Sequence, residues 1–597
     1  MNASGNDARE KSETHPRKQL TSPSQTAIAG NQLAQPNRRE FIGAAGSIAA
    51  AAMAAAVTTL GPVTASAANQ RQRRRGGFQD EGYRRRERMY DIRVQAAEVQ
   101  RRLPIPQHPD NGDEDRYERK IASYSKGLPH NASGEVDPGA YDQFLDALDS
   151  ERPEDFEALR LGCTDANRQM RLVNPLSGLA FDLEGTDSHQ FYQPPAPRFA
   201  SAEAAGEMVE LYWQALLRDV PFTEYATHPL AQTAASELSA LTDFRGPRQG
   251  RRVTPQTLFR GFTPGDVRGP YISQFMLKDT PFGTEYIERR MRAPAPGSDF
   301  MTNYQEWLDV QLGCQPSRTI PFDSQRRYIR NGRDLAQWVH IDVLFQAYFN
   351  ACAILSTSID SDDPQSSGMA CPLNPGNPYL HSRTQTGFGT FGPPYIVTIL
   401  CEVATRALKA VWYQKWFVHR RLRPEAFGGR VHNHRTRVAQ YPLHGDVLNA
   451  SVTDRVFLNT GSYLLPMGFP EGSPLHPAYG AGHATVAGAC VTILKALFDE
   501  NYVIPNPVVP TADGLGLTRY NGPDADHLTV GGELNKLAAN VGIGRNIAGV
   551  HWRSDYTESL RLGEAVAISL LRDQRTTYLE PFEGFVFTQF DGTLISV

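Results

Sequence analysis

Net positive charge, closely paired cysteines and long apolar runs are all missing from most of this 597-residue sequence. Its 61 Lys and Arg face 65 Asp and Glu, a net charge of -4, which argues against a general nucleic-acid binder, whose domain is basic. The six cysteines stand at 163, 314, 352, 371, 401 and 490 with no C-x-x-C pair. That spacing argues against a thiolate zinc site or a dense disulfide scaffold. Cys352, Cys401 and Cys490 sit in apolar helical stretches and read as buried thiols. After residue 60 no stretch reaches the roughly 18 consecutive apolar residues a membrane-spanning helix needs. Strand-like alternation is scarce outside the tail, at 585–587 and 593–597, and no fixed-period repeat suggests a solenoid. With 50 Gly and 42 Pro, the chain is neither collagen-like nor wholly disordered.

The N-terminus has the order of an export signal. Arg38-Arg39 precedes an apolar, Ala-rich run from Phe41 to about Leu60, and Ala65-Ser66-Ala67 supplies small residues for cleavage. The paired arginines make residues 1–67 a twin-arginine signal, which predicts a periplasmic or secreted protein. A membrane anchor is the rival reading, but the run is weakly apolar and Pro62 interrupts it. Residues 68–120 form a basic arm, with Arg71, Arg73, Arg74, Arg75, Arg84, Arg85, Arg86 and Arg88. No aromatics alternate with these arginines, so a solvated or subunit-contacting segment is expected rather than a nucleic-acid site.

From residue 121 to 597 one helical domain is expected. Apolar residues at spacings of three and four recur over 202–218, 303–312, 333–355, 394–417, 483–498, 534–547 and 556–573. Pro/Gly-rich loops separate them, notably 357–393 and 425–480, and loops of that length tend to be functional. The fold class is therefore all-α, with bundle-like packing of long helices and minor β.

Three segments of the part spanning about 394–573 together call for an oxyanion. Lys415, His419 and Arg423 are spaced by four, which on one helix puts them on one face, and Pro424 ends that helix. In His476-Pro-Ala-Tyr-Gly-Ala481-Gly482-His483, glycines beside a helix start let backbone N–H groups approach an anion, with His483 placed as donor or acid/base. In Arg545-Asn-Ile-Ala-Gly-Val-His551, six residues on a straight helix turn through about 240°. Gly549 can break the helix and return His551 to Arg545. Each segment alone also reads as ordinary structure: a basic helix end, a Gly-rich turn, a satisfied histidine. Together Lys415, Arg423 and Arg545 bring three fixed charges whose natural counter-charge is a tetrahedral oxyanion.

This order of residues resembles the shared signature of the vanadium-dependent haloperoxidases and the related acid phosphatases. The stretches 125–130, 179–185, 403–409, 419–424 and 480–497 are most similar to red-algal-type bromoperoxidases. The resemblance implies a two-helical-bundle architecture and a vanadate cofactor. It makes His551 the vanadium ligand, and Lys415, Arg423, Arg545 and the Gly482 N–H the groups that hold the vanadate oxygens. His483 becomes the acid/base toward hydrogen peroxide, Lys415 also polarises a peroxide oxygen, and His476 completes the catalytic set. Ala481, in the cofactor-binding stretch, stands where the family has Ser, and Gly544 replaces the Ser before the distal Arg. Each lost hydroxyl removes a bond to a charged oxygen worth roughly 1.5–3 kcal/mol, unless water replaces it. Bromide is the expected halide, and Trp412 makes chloride the alternative, because the resemblance puts an aromatic residue at that position in chloroperoxidase-type members and Arg in red-algal bromoperoxidases; the same Trp is equally explained by helix packing.

The implied activity is vanadate-dependent oxidation of bromide by hydrogen peroxide to hypohalous acid, which halogenates small organic acceptors. The rivals are an acid phosphatase with His551 as phosphohistidine nucleophile, and a non-catalytic oligomer with a decayed site. The resemblance further implies a large homo-oligomer, a dodecamer, and admits a structural divalent cation. Asp360, Asp362 and Asp363 are candidate ligands for it, although an acidic loop is as readily just solvated. Asp342 is a candidate to orient one of the pocket cations.

Overall fold

A computed structural model describes residues 65–357 and 368–597, with side chains from residue 80. The export-signal stretch up to residue 64 and the acidic cluster Asp360, Asp362 and Asp363 lie outside the described residues. The chain divides into two units, residues 1–88 and 89–597. The basic arm is helical, α1 spanning Ala65–Arg102. Its residues from 80 onward are mostly exposed, and Arg101 pairs with Glu98 at 2.7 Å. No helix of the described residues is long and apolar enough to cross a membrane.

The larger unit is mainly helical. The helices that build the site are α2 (Ala202–Leu216), α3 (Gly332–Trp338), α4 (Gln346–Ser356), α5 (Pro393–Tyr413), α6 (Pro424–Arg435), α7 (Gly482–Leu497), α8 (Val530–Ile547) and α9 (Arg553–Arg575). Helix α7 is apolar on every side, which marks a central helix, and every one of its residues except His483 is buried. It packs on α9, α5, α8 and α4. The α7–α9 approach is backbone to backbone: a Cβ on Gly563 would lie 1.9 Å from the Thr485 carbonyl oxygen, and one on Gly488 2.2 Å from that of Leu560. A second group gathers on α2, with Pro229–Ala240, α6, Gly445–Leu448 and Ser451–Thr460.

Three expectations are revised. The helix expected over 333–355 is two, α3 and α4, separated by an irregular stretch at 339–345. The helix expected to reach 417 ends at Tyr413 and continues as a wider π-type turn, Gln414–His419. The stretch read as loop over 425–480 contains α6 and Ser451–Thr460. Beyond the tail hairpin, Val586–Thr588 with Leu594–Ser596, three further two-stranded antiparallel pairs occur among the described residues. Cys163 and Cys314 form a disulfide across 151 residues of sequence, while Cys352 and Cys490 are buried free thiols and Cys401 is half-buried.

Candidate active site

The pocket residues arrive from five separate places. Lys415 sits in the π-type turn after α5. Arg420 then takes the left-handed conformation (φ 35°), so Lys415, His419 and Arg423 do not share one helix face. Arg423 is extended (φ -77°, ψ 151°), as the residue before Pro424 must be, and caps α6. His419 points elsewhere: its ring meets Tyr479 edge-on at 4.8 Å, and burial pushes its pKa down to about 3. Gly482 and His483 open α7, and Thr485 is the first residue whose N–H bonds back, to the Ala481 carbonyl at 3.0 Å. The preceding N–H groups of the turn are therefore left without intrahelical acceptors. Arg545 lies in the last turn of α8. Gly549 (φ +88°) ends that run and brings His551 back; the Val550 N–H donates to the Arg545 carbonyl at 3.1 Å.

The geometry brings Lys415, Arg423, His476 and His551 into one cluster. Arg423 donates from Nε to the His476 carbonyl (2.9 Å), from one Nη to the Val550 carbonyl (2.7 Å), and from the other to His476 Nδ1 (2.9 Å). The first of these Nη atoms lies 3.1 Å from His551 Nε2. Lys415 Nζ donates to the carbonyls of Pro477 (2.9 Å) and Ala478 (3.2 Å). Arg545 donates to the Val339 carbonyl at 2.9 Å, while its Nε is buried without a hydrogen-bond partner. Trp412 walls the cluster: its ring centroid is 4.8 Å from that of His476 and 5.6 Å from Lys415 Nζ, and its indole N–H donates to the Val173 carbonyl. A Cβ on Gly482 would come within 3.2 Å of the Trp412 ring, so Gly keeps this wall close to the helix start.

The electrostatics are those of buried charge awaiting a counter-charge. Burial lowers the Lys415 pKa well below its usual value, and Arg423 and Arg545 depress it further against Asp555. Arg423 and Arg545 are each pushed down to about 10, again first by burial. The hydrogen bonds that all three donate go to carbonyls and histidine rather than to carboxylates. Burying three such cations is costly, and a polyoxyanion among them would restore their charged forms. With the orphaned Arg545 Nε, this donor set fits vanadate or phosphate.

His551 is buried and neutral: burial, then Arg423, Lys415 and Arg545, lower its pKa well below 6.5. Its Nδ1 lies 2.9 Å from Asp555 Oδ2, which also accepts the Trp552 N–H at 3.0 Å. The other oxygen of Asp555, Oδ1, accepts from Arg421 at 2.8 Å, so both of its oxygens act as acceptors. The Nδ1–H therefore donates to the carboxylate, and the Nε2 lone pair remains for a ligand. The sequence reading did not single out Asp555, although its spacing of four from His551 was the available signal. His483 is partly exposed, and its Nε2 lies 3.0 Å from Asp342 Oδ1. Asp342 does not hydrogen-bond a pocket cation as expected. The break at 339–345 turns it toward the start of α7, and it acts on Arg545 only through its charge. Below Arg545 lies the Phe469 ring, 5.4 Å from the guanidinium carbon, and His340 stacks on that ring at 3.7 Å. Ala481 brings no side-chain cap to α7; its own N–H donates to Ser559 Oγ at 2.8 Å.

Residues 397–578 match the family model described as the VCPO second helical-bundle domain. The chain is 37% identical to the vanadium-dependent bromoperoxidase of Corallina pilulifera, over 85% of this chain and 98% of that protein. It is 33% identical to the vanadium-dependent bromoperoxidase of Ascophyllum nodosum, over 82% and 88% respectively. Among solved structures, the homohexameric second vanadate-dependent bromoperoxidase (AnII) of Ascophyllum nodosum superposes with a TM-score of 0.79 at 31% identity, covering 85% of this chain and 90% of that one.

Proposed function

Because this chain belongs to the vanadium-dependent bromoperoxidases, we infer that its buried cationic pocket holds vanadate and that it uses hydrogen peroxide to oxidise bromide. The observation that carries the site assignment is the gathering of Lys415, Arg423 and Arg545 about His551 with their hydrogen bonds going to carbonyls and histidine and none to a carboxylate. When bound, vanadate supplies a Lewis-acid template on which peroxide becomes reactive toward halide.

The chain's own residues do the rest. His551 offers Nε2 as the ligand atom, and Asp555 fixes its tautomer and ring orientation through Nδ1. Lys415, Arg423 and Arg545 neutralise the oxyanion with charge-assisted hydrogen bonds, already in place before reaction. The Gly482 N–H adds a donor at the positive end of α7. His483 moves the proton of the incoming peroxide: its Nε2 is engaged by Asp342, which leaves Nδ1 for exchange. Lys415 would polarise an oxygen of the peroxide toward the halide. His476, held by Arg423 against Trp412, shapes the halide side of the pocket. Trp412 excludes water there, and replaces a polar wall with an apolar one.

Export by the twin-arginine route to the periplasm or medium is part of this proposal, supported by Arg38-Arg39, the apolar run and Ala65-Ser66-Ala67. So is self-association, up to the dodecamer that the family resemblance implies; the homohexameric relative supports it. The test is peroxide-dependent bromination of a phenol-red-type acceptor by the purified chain, before and after orthovanadate. Activity that appears only with vanadate is expected. No halogenation at any vanadate concentration, with aryl-phosphate hydrolysis instead, would overturn the reading in favour of the phosphatase.

A further inference from the structure

The catalytic reading makes no use of Lys126, yet the fold buries its charge. Lys126 and Glu425 are 2% and 1% exposed, and their ends meet at 2.6 Å across 299 residues of sequence. Lys126 Nζ also donates to the carbonyls of Glu471 (2.8 Å) and Ser473 (2.6 Å), which employs all three of its N–H groups. The second oxygen of Glu425 accepts the Ser473 N–H at 2.6 Å. Gln311 donates to the first oxygen at 3.3 Å, and the Trp307 indole N–H donates to the Glu425 carbonyl at 2.9 Å. Gly472 lets the turn close on this pair: its φ is +62°, and a Cβ there would lie 2.3 Å from Glu425 Oε2. A buried ion pair is poor evidence for stability, because apolar residues of equal volume often serve as well. What this pair does that they could not is hold backbone groups in place.

The backbone so held leads into the pocket. Beyond Ser473, the residues His476, Pro477 and Ala478 present the carbonyls that receive Arg423 and Lys415. Ser473 Oγ lies 3.5 Å from the Val550 carbonyl, which also accepts from Arg423. At its far end the segment is pinned by the Ala478 N–H, which donates to the Arg421 carbonyl at 3.0 Å. Glu425 itself lies in the first turn of α6, two residues after Arg423. The pair therefore ties together the segment that supplies the carbonyls and the helix start that supplies Arg423.

We propose that Lys126 and Glu425 are positioning residues for the oxyanion pocket, clamping 471–473 against α6 so that the carbonyls of 476–478 aim Lys415 and Arg423 at the bound ion. The proposal rests on the vanadate reading above and adds the residues that set its geometry. Equilibrium dialysis of the full chain against orthovanadate tests it, with Glu425→Gln and Lys126→Met. The amide of Glu425→Gln cannot accept on both sides, so either Lys126 or the Ser473 N–H loses its acceptor. Charge and positioning predict opposite signs for this variant. Among the charges that hold Arg423 protonated against its burial, Asp555 comes first and Glu425 second. Removing the Glu425 carboxylate makes the pocket more positive, which by charge alone would tighten an anion. Positioning predicts weaker binding, by about tenfold or more, as for residues that support a site from outside it. Lys126→Met is expected to weaken binding as well, and the double variant to bind no more weakly than the weaker of the two. Leu148→Ala, a core substitution in the helix Pro138–Ser150, should lower the urea midpoint and leave affinity unchanged. If a correctly folded Glu425→Gln binds vanadate as tightly as the wild type or more so, the positioning role is overturned while the vanadate reading stands. The same holds if the double variant multiplies the two losses, or if Leu148→Ala loses as much affinity. Should circular dichroism show Lys126→Met misfolded, Glu425→Gln decides alone. A wild type that binds no vanadate overturns the vanadate reading, and the same comparison with inorganic phosphate then decides the positioning role. A wild type that binds neither overturns both.

Discussion

Asp555→Asn keeps the volume of a fully buried side chain and removes its charge. In the wild type one carboxylate oxygen takes the His551 Nδ1–H at 2.9 Å and the Trp552 N–H at 3.0 Å, and the other takes Arg421 at 2.8 Å. An amide cannot serve both sides. With its oxygen toward Arg421, its NH₂ faces His551 Nδ1 and drives the ring to the tautomer whose Nε2 carries the proton and cannot ligate. With its oxygen toward His551, its NH₂ meets the Arg421 guanidinium. Either way a hydrogen bond to a charged group is lost, worth about 1.5–3 kcal/mol. Since about 1.4 kcal/mol is tenfold in affinity, and such supporting residues typically tune metal affinity by about 10- to 100-fold, vanadate should bind roughly 10- to 100-fold more weakly. Equilibrium dialysis of the vanadate-free protein against orthovanadate reads this directly, with circular dichroism to check the fold. A correctly folded Asp555→Asn protein with vanadate affinity within about twofold of wild type would refute the assigned role of His551 Nε2.

Ala481→Ser adds a hydroxyl at the uncapped start of α7, where the backbone (φ -83°, ψ 120°) suits a capping residue. It should tighten vanadate binding by about tenfold through the regained bond of roughly 1.5 kcal/mol, and unchanged or weaker affinity by the same dialysis would contradict this. Stability should fall as pH drops below about 6.5. Burial holds His130 and His419 down to about 3, so the unfolded chain takes up protons below 6.5 that the folded chain refuses until about 3. The slope is about 1.4 kcal/mol per pH unit for each such histidine. A urea midpoint that is the same or higher at about pH 5.5 than at about pH 7 would count against it. Reducing Cys163–Cys314 opens a loop of 151 residues, and the chain-entropy relation puts the loss at about 5 kcal/mol; a thermal midpoint unaffected by reductant would show that the bridge adds nothing.

The central helix and the turns that place Arg423 and His551 were legible because they rest on local signals. An all-round apolar run marks α7, Pro424 forces Arg423 into an extended cap, and Gly549 permits the turn that returns His551 to Arg545. The irregular stretch at 339–345 was not legible, since its apolar spacing continues the helical pattern; tertiary bonds decide there, the Val339 carbonyl receiving Arg545 and Asp342 receiving His483. The spacing of Lys415, His419 and Arg423 misled for a related reason. A left-handed Arg420 separates them, and the convergence of Lys415 with Arg423 is made by the carbonyls of 476–478 rather than by a helix face. Helix α6 was hidden in a Gly- and His-rich segment of little amphipathic pattern, whose burial comes from packing against α2 and the 445–448 helix.

The most direct test of the central claim is a titration of the vanadate-free chain with orthovanadate, followed by peroxide-dependent bromide oxidation. One cationic pocket with one histidine ligand predicts activity that rises from zero and saturates at one vanadate per chain. Bromide oxidation independent of vanadate, or no activity when one vanadate is bound per chain, would contradict it.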